Sequence, residues 1–149
     1  MSDHPAGGPV DLMRRLFAAF HAGDRAAFDA LTADDIVWTV HGEGPLAGRA
    51  RGRAAFVALL ERARSLSRGR ERFEITDTLE DGHRAMLLAQ IRASADFGRL
   101  DIEHCYLIES DGRRLTRGRT IPCDQAAFLT FWRAAEAARQ PGTGAGHDG

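Results

Sequence analysis

The stretch GRLDIEHCYLIESDGRRLTRGRTIP, residues 98–122, decides the fold. Apolar alternations flank Asp111-Gly112, a turn dipeptide, so the spacing predicts two strands joined as a hairpin. Side chains alternate along a strand with period two, which puts Leu100, Ile102, His104, Tyr106 and Ile108 on one face. Asp101, Glu103, Cys105, Leu107 and Glu109 fall on the other. On the second strand, Gly118 and Thr120 turn inward and Arg117 and Arg119 outward. The inward face is apolar except for one imidazole and one phenol, so His104 and Tyr106 are the candidates for chemistry.

Working outward, Ala85 to Ser94 predicts a strand with Ala85, Leu87, Ala89, Ile91 and Ala93 on its inner face. Its other face starts apolar with Met86 and Leu88, which suggests cover by a second subunit. Arg72 to Leu79 predicts a further strand with Phe73, Ile75 and Leu79 inward. Nearer the N-terminus, Leu12, Met13, Leu16, Phe17 and Phe20 recur at helical spacing up to Gly23, and Asp24 can cap a short helix carrying Phe28 and Leu31. Thr32 to Asp35 reads as a break, Ile36 to His41 as a strand with Trp38 and Val40 on one face, and residues 42–48 as a loop. Phe56, Leu59, Leu60 and Ala63 mark a third helix. Asp124 caps a last one bearing Phe128, Phe131 and Trp132. Three helices on a strongly curved, mostly antiparallel sheet make an α+β fold with a hollow between the layers.

Totals narrow the function. The 149 residues, with 20 basic and 21 acidic side chains and a net charge of -1, give no field favouring nucleic acid or an anionic membrane. Every basic residue is arginine, and the densest run, Arg62 to Arg72 with Glu61 and Glu71 at its ends, reads as a solvated helix end and loop in preference to a phosphate site. Two cysteines make no disulfide framework and no zinc spacing, and no apolar run could span a bilayer, so a reducing cytoplasm is expected. Residues 1–8 and 140–149 read as disordered tails around one domain, 9–139.

The order of elements and four local motifs resemble the NTF2-like superfamily, in particular its SnoaL-like branch of polyketide cyclases and ketosteroid isomerase-like relatives. The motifs are FAAFHAGDRAAFDALTADDIVW (17–38), GPLAGRARGRAAFVALL (44–60), ESDGRRL (109–115) and IPCDQAAFLTFW (121–132). The resemblance covers roughly residues 10–135 and implies a cone-shaped fold. It carries catalytic residues over poorly. The tyrosine, base and protonated-aspartate positions of ketosteroid isomerases fall on Leu16, Val40 and His104. The positions that limonene-epoxide hydrolases require fall on Gln90, Arg92 and Thr120. The acid/base carboxylate of SnoaL-like aldol cyclases falls near His104 or Cys105, with no carboxylate there.

The expectation is therefore a pocket for a small apolar molecule, lined by Leu16, Phe20, Trp38, Val40, Phe56, Leu87, Ala89, Ile91, Ile102, His104, Tyr106 and Thr120. His104 would move a proton next to a carbonyl while Tyr106 or Thr120 steadies the oxyanion, in a cyclisation, isomerisation or dehydration without cofactor or metal. The rivals are a non-catalytic binding or assembly module of the same fold and, behind it, an epoxide hydrolase. Partners are a homodimer mate through the outer sheet face, with no nucleic acid and no membrane. His41 and Glu43 are placed at the cavity mouth.

Overall fold

The computed structural model describes residues 7–139, so the tails expected at 1–8 and 140–149 lie outside the described residues apart from Gly7 and Gly8. Helix α1 (Pro9–Ala22) begins with proline, whose missing N–H costs nothing in a first turn. It ends where Gly23 takes a left-handed φ of 73° and the N–H groups of Gly23 and Asp24 bond back to Phe20 and Ala19. The Asp24 carboxylate then accepts from Ala27 N–H at 3.0 Å and starts α2 (Arg25–Leu31). Strand β1 (Thr32–Val40) and short β2 (Gly48–Arg51) lead into α3 (Arg53–Leu66). Strands β3 (Arg72–Glu80), β4 (Arg84–Ala95), β5 (Gly98–Ser110) and β6 (Leu115–Pro122) follow, and α4 (Gln125–Arg139) is the last element among the described residues.

The six strands form one sheet in the order β2-β1-β6-β5-β4-β3, antiparallel except where β1 runs parallel to β6. Register shifts put extra residues into β1, β3 and β6, and such bulges bend and twist a sheet. The long helices α1, α3 and α4 contact the sheet, as expected, and short α2 seats on β1. Inner faces match the alternation: Leu100, Ile102, His104, Tyr106 and Ile108 are all buried, as are Ala85, Leu87, Ala89, Ile91 and Ala93.

Three local expectations need correction. Strand β1 starts at Thr32, not Ile36, because Arg53 pins the segment: its guanidinium donates to the Thr32 hydroxyl at 2.9 Å, to the Asp29 carbonyl at 3.0 Å and to the Thr32 carbonyl, and pairs with Asp34 at 2.7 Å. A tertiary clamp overrides the turn-forming habit of Ala33-Asp34-Asp35. The loop at 42–48 ends in β2, whose GRAR sequence shows no alternation because the strand lies at the edge and is largely solvated. Leu79 faces outward and is 70% exposed, because Thr76 is the extra residue of a bulge between Ile75 and Asp77 that flips the rest of β3.

Candidate functional site

Between the sheet and the helices lies a partly open cavity of about 130 Å³. An apolar space of that order accommodates an aromatic ring. Phe17 and Phe20 of α1 and Leu59, Leu60 and Ala63 of α3 form one side of it. These five are only half-buried, since the faces they present have the hollow, not a neighbour, in front of them. Trp38, Val40, Tyr106 and Thr120 come from the sheet, with Phe128 and Trp132 from α4.

The Trp38 indole stacks on Phe56, with centroids 4.7 Å apart and planes 16° from parallel, and its Nε1 donates to the Thr120 hydroxyl at 2.8 Å. It can lie there because its partner across the parallel strands is Gly118; a Cβ on Gly118 would run into the six-membered ring. Gly118→Ala should therefore destabilise the fold by about 2–3 kcal/mol through overpacking. Denaturant midpoints check this, and the indole environment can be followed by fluorescence.

His104 and Tyr106 form the polar centre. Ring Nδ1 of His104 lies 3.0 Å from the Tyr106 hydroxyl, and both residues are buried. Burial lowers the His104 pKa to about 4, so the ring is neutral near pH 7. Burial, and then the charge of Glu71, push the Tyr106 phenol well above its ordinary value. A neutral imidazole has one N–H. The phenol has no other hydrogen bond among the described residues, so the arrangement with the fewest unpaired donors has it donate to Nδ1, with the ring N–H on Nε2. Nε2 of His104 is buried and unpartnered, as is Nε1 of Trp132 on the same cavity. Both side chains line the cavity, and the two nitrogens themselves are enclosed without an acceptor.

Glu71 supplies what the sequence did not reveal. It is half-buried and lines the cavity, and desolvation of its carboxyl raises the pKa from 4.5 to about 7. The end of α3 delivers it there. Arg68 takes a left-handed φ of 57°, its N–H bonds to the Ser65 carbonyl and Gly69 N–H bonds to the Arg64 carbonyl. That double-bonded helix terminus reverses the chain just before Glu71 and β3. The solvated reading of the Arg62–Arg72 run is thus corrected at Glu71.

The structure sorts the expected pocket residues by depth. Phe20, Trp38, Val40, His104, Tyr106 and Thr120 line the cavity. Leu16, Phe56, Leu87, Ala89, Ile91 and Ile102 do not; they are buried in the core. Phe56 lies behind Trp38, and the others share the inner faces of α1, β4 and β5 with residues that α1 and α4 cover. His41 is half-buried and Glu43 exposed, and neither reaches the cavity; Leu46 of the same loop does. Cys105 faces away from His104 with its thiol pushed up by burial and by Glu103, so the two form no nucleophilic pair. Among the described residues no cluster of three His, Cys, Asp or Glu side chains could hold a metal ion, and no helix is long and apolar enough to cross a membrane.

Comparison with known proteins places this geometry. The family model described as SnoaL-like domain matches residues 13–140. An uncharacterized protein of Mycobacterium tuberculosis is 34% identical over 125 residues, covering 83% of this chain and 95% of that protein. The solved structure of Bal32a, from a soil-derived mobile gene cassette, superposes with a TM-score of 0.76 at 27% identity, over 83% of this chain and 95% of its own. An NTF2-like protein of Burkholderia xenovorans gives 0.68 at 26% identity, over 83% and 94%. TerC, co-crystallized with polyporic acid, shares the fold with a TM-score of 0.69 at 18% identity, over 81% and 96%.

Proposed function

The chain belongs to the SnoaL-like domain family, and from that premise we propose that its cavity takes a flat apolar carbonyl compound and shuttles a proton at the carbon beside the carbonyl. The observation that carries this reading is that a desolvated carboxyl and a histidine with an unpartnered ring nitrogen both belong to the lining of one apolar cavity. Glu71, with a pKa near 7, is poised to take a proton and return it. His104 instead donates from Nε2 to the carbonyl oxygen and steadies the enolate that forms. A neutral imidazole suits that role, and its low pKa makes it a weak base. Tyr106, 3.0 Å from Nδ1, would hold that tautomer by donating to it. Cyclisation, isomerisation and dehydration all begin with this step. That TerC has been co-crystallized with a ligand supports the fold as a host for small molecules, no more.

The test uses 2-tetralone, a flat ketone with acidic C–H bonds, in D2O. Deuterium incorporation catalysed by the protein, followed by NMR, supports the proposal. Binding without exchange favours the non-catalytic binding module, and neither binding nor exchange overturns the site.

The proposed setting is a cytoplasmic homodimer. On the outer sheet face Leu79 and Met86, 70% and 42% exposed, pair in register, and Leu107 lies opposite Met86. Glu109 and Arg117 pair beside them, so the patch carries both charge signs and can meet its own copy about a two-fold axis. Met86→Arg should convert a two-chain species into monomer by size-exclusion chromatography with light scattering. A monomeric wild-type protein would remove this part of the proposal.

A further inference from the structure

The cavity has a charge polarity that the proton-transfer reading does not use. Its charged or titratable lining, apart from His104 and Tyr106, consists of His21, Arg64 and Glu71. Glu71 is desolvated, whereas His21 and Arg64 are exposed at the rim. The Arg64 guanidinium sits over the Phe20 ring, 4.5 Å from its centroid, so an aromatic wall of the cavity holds the cation in place. Its neighbours along the chain, Arg62 and Arg68, pair with Glu136 and Asp96, but Arg64 has no carboxylate partner among the described residues. Partial burial, and then the charges of Arg64 and Arg72, hold the His21 imidazole below its usual pKa.

Resting on the reading of this cavity as a ligand site, we infer that its ligand is an apolar aromatic acid whose carboxylate is held at the rim by Arg64 while its apolar body enters beneath Phe20. The opposite orientation would bring the carboxylate toward Glu71, where ionised Glu71 repels it and the apolar walls strip its water. The rim cation therefore sets which end of the molecule reaches His104 and Glu71. The substrate class narrows from flat apolar carbonyl compounds to those that also carry an acidic group at the far end.

Two nearly isosteric probes separate charge from shape: 2-naphthoate and its neutral counterpart 2-acetylnaphthalene. Both tryptophans of the chain line the cavity, so quenching of their fluorescence reports binding of either probe. At low salt the wild-type protein should bind 2-naphthoate about fivefold more tightly than the ketone, the scale of a partly exposed charge-assisted pair. Arg64→Gln should erase that preference by weakening 2-naphthoate binding, Arg64→Lys should restore part of it, and high salt should weaken it in the wild type. Equal affinities in the wild type, or a preference that survives Arg64→Gln, would overturn the inference and leave the cavity's role as a ligand site standing. If neither probe binds, the site itself fails and the inference with it.

Discussion

Glu71→Gln should lower protein-catalysed deuterium exchange on 2-tetralone by roughly 10²–10⁴-fold, the usual contribution of a positioned acid–base group. Glutamine keeps the volume and polarity of the side chain and removes its ability to accept a proton, so affinity for the ketone should hold and the loss should fall on turnover. The wild-type rate should rise with pH and level off above about 7, where Glu71 becomes a carboxylate. If His104 were the base, the inflection would lie near 4, and His104→Gln would be the more damaging change. In the arrangement proposed here, His104→Gln removes an oxyanion donor and should cost less than Glu71→Gln. Equal exchange by wild type and Glu71→Gln would sink the assignment.

The contrast between these two residues shows what the sequence discloses. His104 was legible because strand alternation is rigid: a period of two, anchored by the Asp111-Gly112 turn, fixes which side chains face in, and burial of all five inner residues follows. The helix stops at Gly23 and the caps at Asp24 and Asp124 were legible for a similar reason, each being a short-range rule about orphan backbone groups. Alternation says which face a residue shares, not how deep it lies on that face. Leu87, Ala89 and Ile91 occupy the inner face of β4 as expected, yet they sit in the core beside the cavity.

Glu71 was hidden for the opposite reason. It sits in no periodic element, and its neighbours Arg68, Arg70 and Arg72 make the segment look solvated. What places it is the left-handed turn at Arg68, a residue that seldom marks one, followed by the bonds that close the end of α3. A charged residue two positions beyond such a terminus and directly before a strand is aimed by geometry that composition does not record. The clamp of Arg53 on Thr32 and Asp34 was unreadable on the same grounds, since it joins residues about twenty apart through one guanidinium.

The second large effect is a pH-dependent gain in stability from the same substitution. Glu71 titrates at about 7 in the folded chain and at the ordinary 4.5 once unfolded, so its protonated form favours the fold. That contribution is complete below pH 4.5, declines as the unfolded chain ionises, and is gone above about pH 7. The rise from 4.5 to about 7 corresponds to about 3 kcal/mol. His104 runs the other way. Its folded pKa of about 4 lies below the ordinary 6.5, so its contribution is complete above pH 6.5 and is lost as pH falls through 4. Between 4.5 and 6.5 the two slopes oppose each other, and the wild-type curve conceals both. Glu71→Gln removes only the first. Chemical denaturation of the two proteins should agree at pH 4, diverge steadily above it, and leave the variant more stable by about 3 kcal/mol at pH 8. Groups common to both proteins cancel in that difference. A gap that stays constant across the range would show that the Glu71 carboxyl is not desolvated, and would remove the basis for its role as the proton carrier. A gap that opens as described means that the fold tolerates a destabilising carboxyl at neutral pH, which is the expected mark of a side chain kept for chemistry.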